Sequence, residues 1–361
     1  MESLETDKIF EKAETLRQDN QYKRSLTFFK KALSGYSTSG DTGRILDCQL
    51  SIGDIYRMIG DFDRAEKSYS DAITTCVKVD DQVALSDATI GIGLSFRGKG
   101  DWSNALKMFK QALVFYKKNK DDHGIAFCNW AIAGAFRIKG DISRSIKTFN
   151  TALEKYRSLN YDTGIGYCLC GLGGASRIAG LFSDSLDYYN SANAVFLKLK
   201  DNFGRAYSYC GKGNAFRMSG EYKKALASFS RASTLYKKIG DRVSYSYTLW
   251  SIGTTHKMLG DNFSAREYFR RAQALFKITK DPRGIIYCRL GLGEIAMLEG
   301  RNSLAGKYFR SSVADAGKYG FRIEKCYAEM MLSSLYGEPE SGCHKKLGLR
   351  LDLKKAPFNI P

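Results

Sequence analysis

Residues 46–79 read LDCQLSIGDIYRMIGDFDRAEKSYSDAITTCVKV. Leu50, Gly53 and Tyr56 sit at helical intervals, Gly60-Asp61 interrupts them, and Ala65, Tyr69 and Ala72 resume at i, i+4 and i+7. That order predicts a helix, a glycine stop followed by an acidic cap, and a second helix with an apolar stripe. The order then returns every 40 residues. Glycine recurs at Gly53, Gly93, Gly173, Gly213, Gly253 and Gly293, with Ala133 in the remaining slot, and again in the turns from Gly60 to Gly300. The stripe recurs as Ala105, Phe109 and Ala112 and as Ala225, Phe229 and Ala232. Asp41, Asp81, Asp121, Asp201, Asp241 and Asp281 stand where the next helix begins. Each unit is therefore an antiparallel helix pair, and glycine inside the first helix, which costs about 1 kcal/mol against alanine, marks close helix contact.

A repeat of this length resolves the question of size. The chain has 361 residues and no linker rich in Pro, Gly or Ser, yet a solenoid extends one core along an axis because each unit buries its apolar face on its neighbours. Only four prolines occur, three of them at or beyond Pro339, so about the first 335 residues can be almost wholly helical. Residues 6–336 are expected to form an all-α solenoid of about eight helix pairs closed by a capping helix near 322–336. Residues 337–361 form a basic, proline-containing tail expected to be disordered. Within that tail Leu347, Leu349, Leu351 and Leu353 alternate and, with Phe358 and Ile360, could dock on a groove.

The pattern of a Leu-Gly, an aromatic, and then Ala, Phe or Tyr and Ala at these offsets resembles the tetratricopeptide repeat (TPR) over about 335 residues. Two features depart from it: the period is 40 where about 34 is usual, and the proline that closes a unit is missing. Both departures resemble the longer units of Pins-type scaffolds and Rap-like regulators. The resemblance implies a right-handed superhelix whose first helices line a concave groove that holds a partner.

Four columns would face that groove. The first runs Asp7, Asp47, Asp87, Phe127, Tyr167, Tyr207, Tyr247, Tyr287 and Tyr327. The second includes Leu50, Ile90, Trp130, Cys170, Cys210, Trp250 and Leu290, and the third Glu14, Asp54, Leu94, Gly134, Gly174, Asn214, Thr254 and Glu294. The fourth is a ladder of cations: Arg17, Arg57, Arg97, Arg137, Arg177, Arg217 and Lys257, ending in Met297. The small residues of the third column would leave the groove deepest near the fourth and fifth units. Two readings of the ladder stand side by side. Asp61, Asp101, Asp141, Glu221 and Asp261 each lie four residues after a ladder cation, so local ion pairs could explain it, although such pairs are worth only a few tenths of a kcal/mol. Alternatively the cations bind a ligand. The tyrosines likewise suit packing between units or stacking against a ligand.

The formal charge of +18 favours an anionic partner. The candidate partner-binding residues are Arg57, Arg97, Arg137, Arg177, Arg217, Lys257, Trp130, Trp250, Tyr167, Tyr207, Tyr247, Tyr287 and Asn214. They suit an acidic extended peptide held by charge-assisted arginine contacts. They also suit RNA or single-stranded nucleic acid, which needs basic and aromatic groups along one track. A structural subunit that associates through its tail is the third alternative.

No catalytic constellation is expected, since His123, His256 and His344 are scattered and the recurrent acids sit in turns. Neither a cofactor nor a metal is called for. Cys48, Cys128, Cys168 and Cys288 share a position with Ala88 and Ala328 that wants a small side chain, so buried thiols are expected there. Cys343 beside His344 is the one pair with any claim on a metal. No membrane-spanning run is present and the first residues are acidic, so a soluble cytoplasmic protein is expected.

Overall fold

The computed structural model describes residues 2–339, 341–350 and 356–361. The helix pairs run α1 (Glu2–Gln18) and α2 (Tyr22–Ser39), α3 (Thr42–Met58) and α4 (Phe62–Val79), α5 (Gln82–Gly98) and α6 (Trp102–Lys118), α7 (Asp122–Lys139) and α8 (Ile142–Ser158). They continue as α9 (Asp162–Ile178) and α10 (Phe182–Lys198), α11 (Asn202–Met218) and α12 (Tyr222–Ile239), α13 (Arg242–Met258) and α14 (Asn262–Ile278), α15 (Pro282–Leu298) and α16 (Asn302–Tyr319). Then α17 (Arg322–Tyr336) caps the last pair, and α18 (Cys343–Lys346) is a single turn. The result is a superhelical solenoid of helix pairs.

The punctuation works as its chemistry dictates. Asp61 accepts from the Arg64 amide and Asp81 from the Ala84 amide, each satisfying a donor that the first helical turn leaves open. Glu221, expected to cap in the same way, forms no such bond, because its carboxylate turns to Lys224. Gly60 and Gly100 take φ of 79° and 81°, the left-handed conformation that closes a helix at low steric cost. The glycines inside first helices are seats for rings. A Cβ on Gly53 would stand 2.7 Å from Tyr69, and one on Gly213 2.5 Å from Phe229. Ala65, Tyr69 and Ala72 are correspondingly buried, as are Ala225, Phe229 and Ala232.

The thiols of Cys48, Cys128, Cys168 and Cys288 are buried and free, and burial pushes those of Cys48, Cys128 and Cys168 up to about 12. Cys343 differs from expectation: its sulfur is joined to Cys326 of α17 in a disulfide, across a Cα separation of 5.7 Å. Described parts of the tail expected to be disordered are packed on the solenoid. Among the described residues, 343–346 form α18, and Leu349, Phe358 and Ile360 are buried; Leu351 and Leu353 lie outside the described residues.

The superhelix turns back on itself. Lys280 of the α14–α15 turn pairs with Asp63 of α4, 217 residues away. Gly60 abuts Val243 and Thr279, Gly100 abuts Phe321, and Gly180 abuts the main chain of Arg350. Turns of the early pairs thus rest on later pairs, and the concave surface is enclosed.

Candidate functional site

Odd-numbered helices line the enclosed surface, and the ladder runs along it. Arg97, Arg137 and Lys257 lean toward the third-column position of the next unit, whereas Arg17, Arg57 and Arg217 bond the third-column residue of their own. A Cβ on Gly134 would meet Arg97 Nη1 at 2.7 Å, and one on Gly174 would meet Arg137 Nη1 closer still. Lys257 donates to the carboxylate of Glu294, 37 residues on. The small residues of the fourth and fifth units therefore hold arginine side chains; they are not the deepest part of an empty groove, as the sequence suggests.

The expected i,i+4 ion pairs do not form among the described residues. Arg57 turns back to Asp54 at 3.0 Å, which also accepts from the Tyr69 hydroxyl at 2.8 Å. Asp61 pairs instead with Arg64, Asp141 with Arg144 and Asp261 with His256. Arg97, Arg137 and Arg177 meet no carboxylate within ion-pair distance among the described residues. Arg97 lies over the Trp130 ring, 4.7 Å from its centre, and burial pulls its guanidinium down to about 10. Nε and Nη1 of Arg177 are buried with no hydrogen-bond partner.

The aromatic columns tie units together. Tyr167 donates to Asp201 at 2.9 Å and Tyr247 to Asp281 at 2.8 Å, so each hydroxyl reaches the helix cap of the following unit. Trp130 and Trp250 donate their indole N–H groups to the carbonyls of Tyr167 and Tyr287. In the early units the roles reverse, with Tyr36 donating to Asp7 and Tyr116 to Asp87.

Three neighbouring cavities share lining residues, Arg57 between the first and second and Tyr207 between the second and third. The first, of about 570 Å³, carries Asp54, Asp87 and Asp121 beside Arg57. The second, of about 510 Å³, is lined by Arg57, Arg97, Trp130, Tyr167 and Tyr207. The third, of about 220 Å³, gathers Arg137, Arg177, Tyr207, Asn214, Tyr247, Trp250 and Tyr287, together with Arg283, which the columns do not include. Arg283 itself is paired with Glu324 at 2.6 Å.

Beyond the third cavity the groove holds a segment of this same chain. Residues 358–361 lie there without helix or strand. Lys257 donates to the Phe358 carbonyl at 2.6 Å, and the Phe358 N–H donates to Glu294. Arg217 donates to the Ile360 carbonyl at 2.9 Å and to the Asn359 side chain, whose own amide donates to the Arg217 carbonyl at 2.9 Å. Asn214 steadies the guanidinium at 3.2 Å. Burial pulls Arg217 down to about 9, with the Arg177 charge adding to it, and it lowers Lys257 while raising Glu294. The ladder thus divides between cations without acids, at Arg97 to Arg177, and cations engaged by an extended segment, at Arg217 and Lys257. Glu294 stands in the third column but not among the candidate binding residues, and Asn359 lies outside the columns. Glu294 could have been found from its complementarity to Lys257 one unit earlier; Asn359 carries no periodic signal.

Comparison with known proteins agrees with this architecture. Residues 204–278 match the family described as Tetratricopeptide repeat. The chain has the fold of a tetratricopeptide-repeat solenoid. Among solved structures, this TPR array is similar over 95% of its length to 98% of NprR in complex with its cognate peptide NprX, at 18% identity and a TM-score of 0.62. It is also similar over 96% of its length to 99% of a Rap protein complexed with Competence and Sporulation Factor, at 14% identity and a TM-score of 0.61. The apo quorum sensor NprR of B. thuringiensis matches 92% of the chain over 98% of its own, at 15% identity and a TM-score of 0.52. The fold therefore agrees with the Rap-like subclass that the long units resemble. No curated protein sequence matches the chain. Among the described residues no helix is long and apolar enough to cross a membrane.

Proposed function

We propose that this TPR solenoid is a non-enzymatic binding protein that holds an extended, acidic peptide or protein segment in its enclosed groove. The observation that carries the reading is the extended segment at residues 358–360. Its carbonyls and one amide are taken up by Arg217, Lys257 and Glu294, so the groove already binds non-helical main chain through side chains built for it. The acidic preference rests on Arg97, Arg137 and Arg177. These are three cations in low-dielectric surroundings with no carboxylate of their own among the described residues, where an incoming carboxylate gains more than it would in water. A preformed cradle also lowers the ordering cost on one side of the complex. The likeness in fold to NprR bound to its cognate peptide supports a peptide as the ligand.

The test is selection of a random displayed peptide library on the immobilised chain. Acidic peptides should be enriched, and the Arg137→Glu, Arg177→Glu chain, with unchanged helical circular dichroism, should lose them. Equal enrichment on both chains would overturn the reading. A labelled mixed-sequence single-stranded oligonucleotide run beside it addresses the nucleic-acid alternative. Tight binding to it that falls steeply with salt, together with no enriched peptide, would replace a peptide ligand with nucleic acid.

A further inference from the structure

The seat of residues 358–360 has the features of a reading head. Lys257 and Glu294 take the carbonyl and the amide of one residue, which any sequence offers. The next residue is discriminated: Asn359 accepts from the Arg217 guanidinium and donates to the Arg217 carbonyl. Aspartate cannot make the donated bond and leucine can make neither, and an unmatched polar group in so buried a site is costly. On either side Phe358 and Ile360 are almost wholly buried in the apolar cluster that holds Trp250, Leu290 and Tyr327. The seat therefore specifies an aromatic residue, an asparagine and an aliphatic residue in succession.

Nothing in this arrangement requires the segment to be covalently attached. The polar partners named above belong to α11, α13 and α15, elements that are complete without it. Emptying the seat would leave Arg217 and Lys257 without the carbonyls they now meet, so a replacement segment would have to offer the same acceptors.

Resting on the peptide-binding reading above, we infer that this seat is the specificity subsite of the groove, that its ligand is a peptide carrying an aromatic–Asn–aliphatic triplet, and that the chain's own Phe358-Asn359-Ile360 is a tethered competitor for it. Tethering holds the competitor at a high effective concentration. A free peptide must then bind the fraction of molecules whose seat is open, which weakens its apparent affinity by that fraction.

The experiment uses the full chain and the labelled, C-terminally amidated peptide Ac-Ala-Pro-Phe-Asn-Ile-Pro, the sequence of residues 356–361, with binding read by fluorescence anisotropy. The Phe358→Ala, Asn359→Ala chain releases its own segment and should bind the peptide at least tenfold more tightly than the unaltered chain. Replacing Asn by Asp in the peptide, or adding Arg217→Gln to the released chain, should remove at least tenfold of that gain. Should the double substitution lower helicity, the single Asn359→Ala chain serves in its place. A released chain that keeps its helical spectrum but binds the peptide no better would show that the segment is merely a structural closure, and would overturn the inference. The two readings fail separately. If library-selected acidic peptides bind released and unaltered chains alike and the hexapeptide does not compete, the subsite inference alone falls; if no peptide of either kind binds, the groove reading falls with it.

Discussion

Two stretches of one ladder share a spacing and differ in almost everything else. From Arg97 to Arg177 the guanidinium groups lie over Gly134, over Gly174 or beside unfilled cavity, and no acid among the described residues meets them. At Arg217 and Lys257 the same register is buried and engaged, by Asn214 and Glu294 from the solenoid and by the segment at 358–360. For Arg97 and Arg137 on one side and Lys257 on the other, the residue 37 positions after the cation makes the difference: Gly134 and Gly174 against Glu294. Glycine there gives the arginine a place to lie without a counter-charge, whereas glutamate makes a closed ion pair that then presents both signs to a passing main chain. A repeat period fixes where side chains go, and the neighbouring unit decides what they are free to do.

The largest effect that can break this comparison comes from removing an acid at each end. Glu294→Ala leaves Lys257 buried without its partner and should cost about 3–5 kcal/mol, read as a lowered urea midpoint. Asp54→Ala removes the partner of Arg57 at a half-exposed site, where about 1 kcal/mol or less is expected. Equal losses would mean that the two ends of the ladder are electrostatically alike.

A smaller effect separates the two kinds of glycine. Gly211→Ala would drive a methyl to 2.0 Å from the Tyr189 ring, which is buried and cannot yield, so a loss of about 1–3 kcal/mol is expected in the same denaturation. Gly134→Ala meets only the end of the Arg97 side chain, and the gain in helix propensity, about 1 kcal/mol, offsets the displacement. Its stability should hardly change while Trp130 fluorescence shifts, because the guanidinium now over that ring has to move.

Much of the fold is legible because periodicity reports on it directly. The glycine seats, the alanine and aromatic stripe and most acidic caps stand where the spacing of residues 46–79 puts them, and the shared cysteine position is buried as its small occupants imply. The groove is less legible. Its columns fall on the helices that periodicity assigns, but the partners of the ladder are not the acids four residues on; those acids turn to cap helices and to pair with cations such as Arg64 and Arg144. Contacts between successive units, such as Tyr167 with Asp201, require the angle between helix pairs, which no single unit encodes. Asn359 and the bond between Cys326 and Cys343 lie outside the repeat altogether, so periodicity carries no information about them.

Where the superhelix folds back, a cap that is ordinary elsewhere becomes a pH-sensitive group, and this gives the finest test of the difference between enclosed and open units. Asp241 caps α13 by accepting from the Ser244 amide at 3.0 Å, and it is buried where Tyr22 and Arg57 of the early units approach it. Burial raises its carboxyl to about 6, against which the Ser244 bonds and the Arg57 charge act. Between the ordinary carboxylate range and about pH 6 the native state therefore holds a proton that the unfolded chain has released. Stability from this group is greatest at low pH and is lost as pH rises through 6. Asn at this position keeps the acceptor for the Ser244 amide without the charge. Asp241→Asn should thus stabilise the chain by about 1–2 kcal/mol at pH 7, since each tenfold change in proton affinity is worth about 1.4 kcal/mol and local relaxation recovers part of it. It should have little effect at pH 4.5. Thermal melts of both chains at pH 4.5, 6 and 7 measure this. A variant less stable than the parent at pH 7 would mean that the carboxylate is held as an ion by Arg57, and that the enclosed cap differs from the open ones only in its exposure.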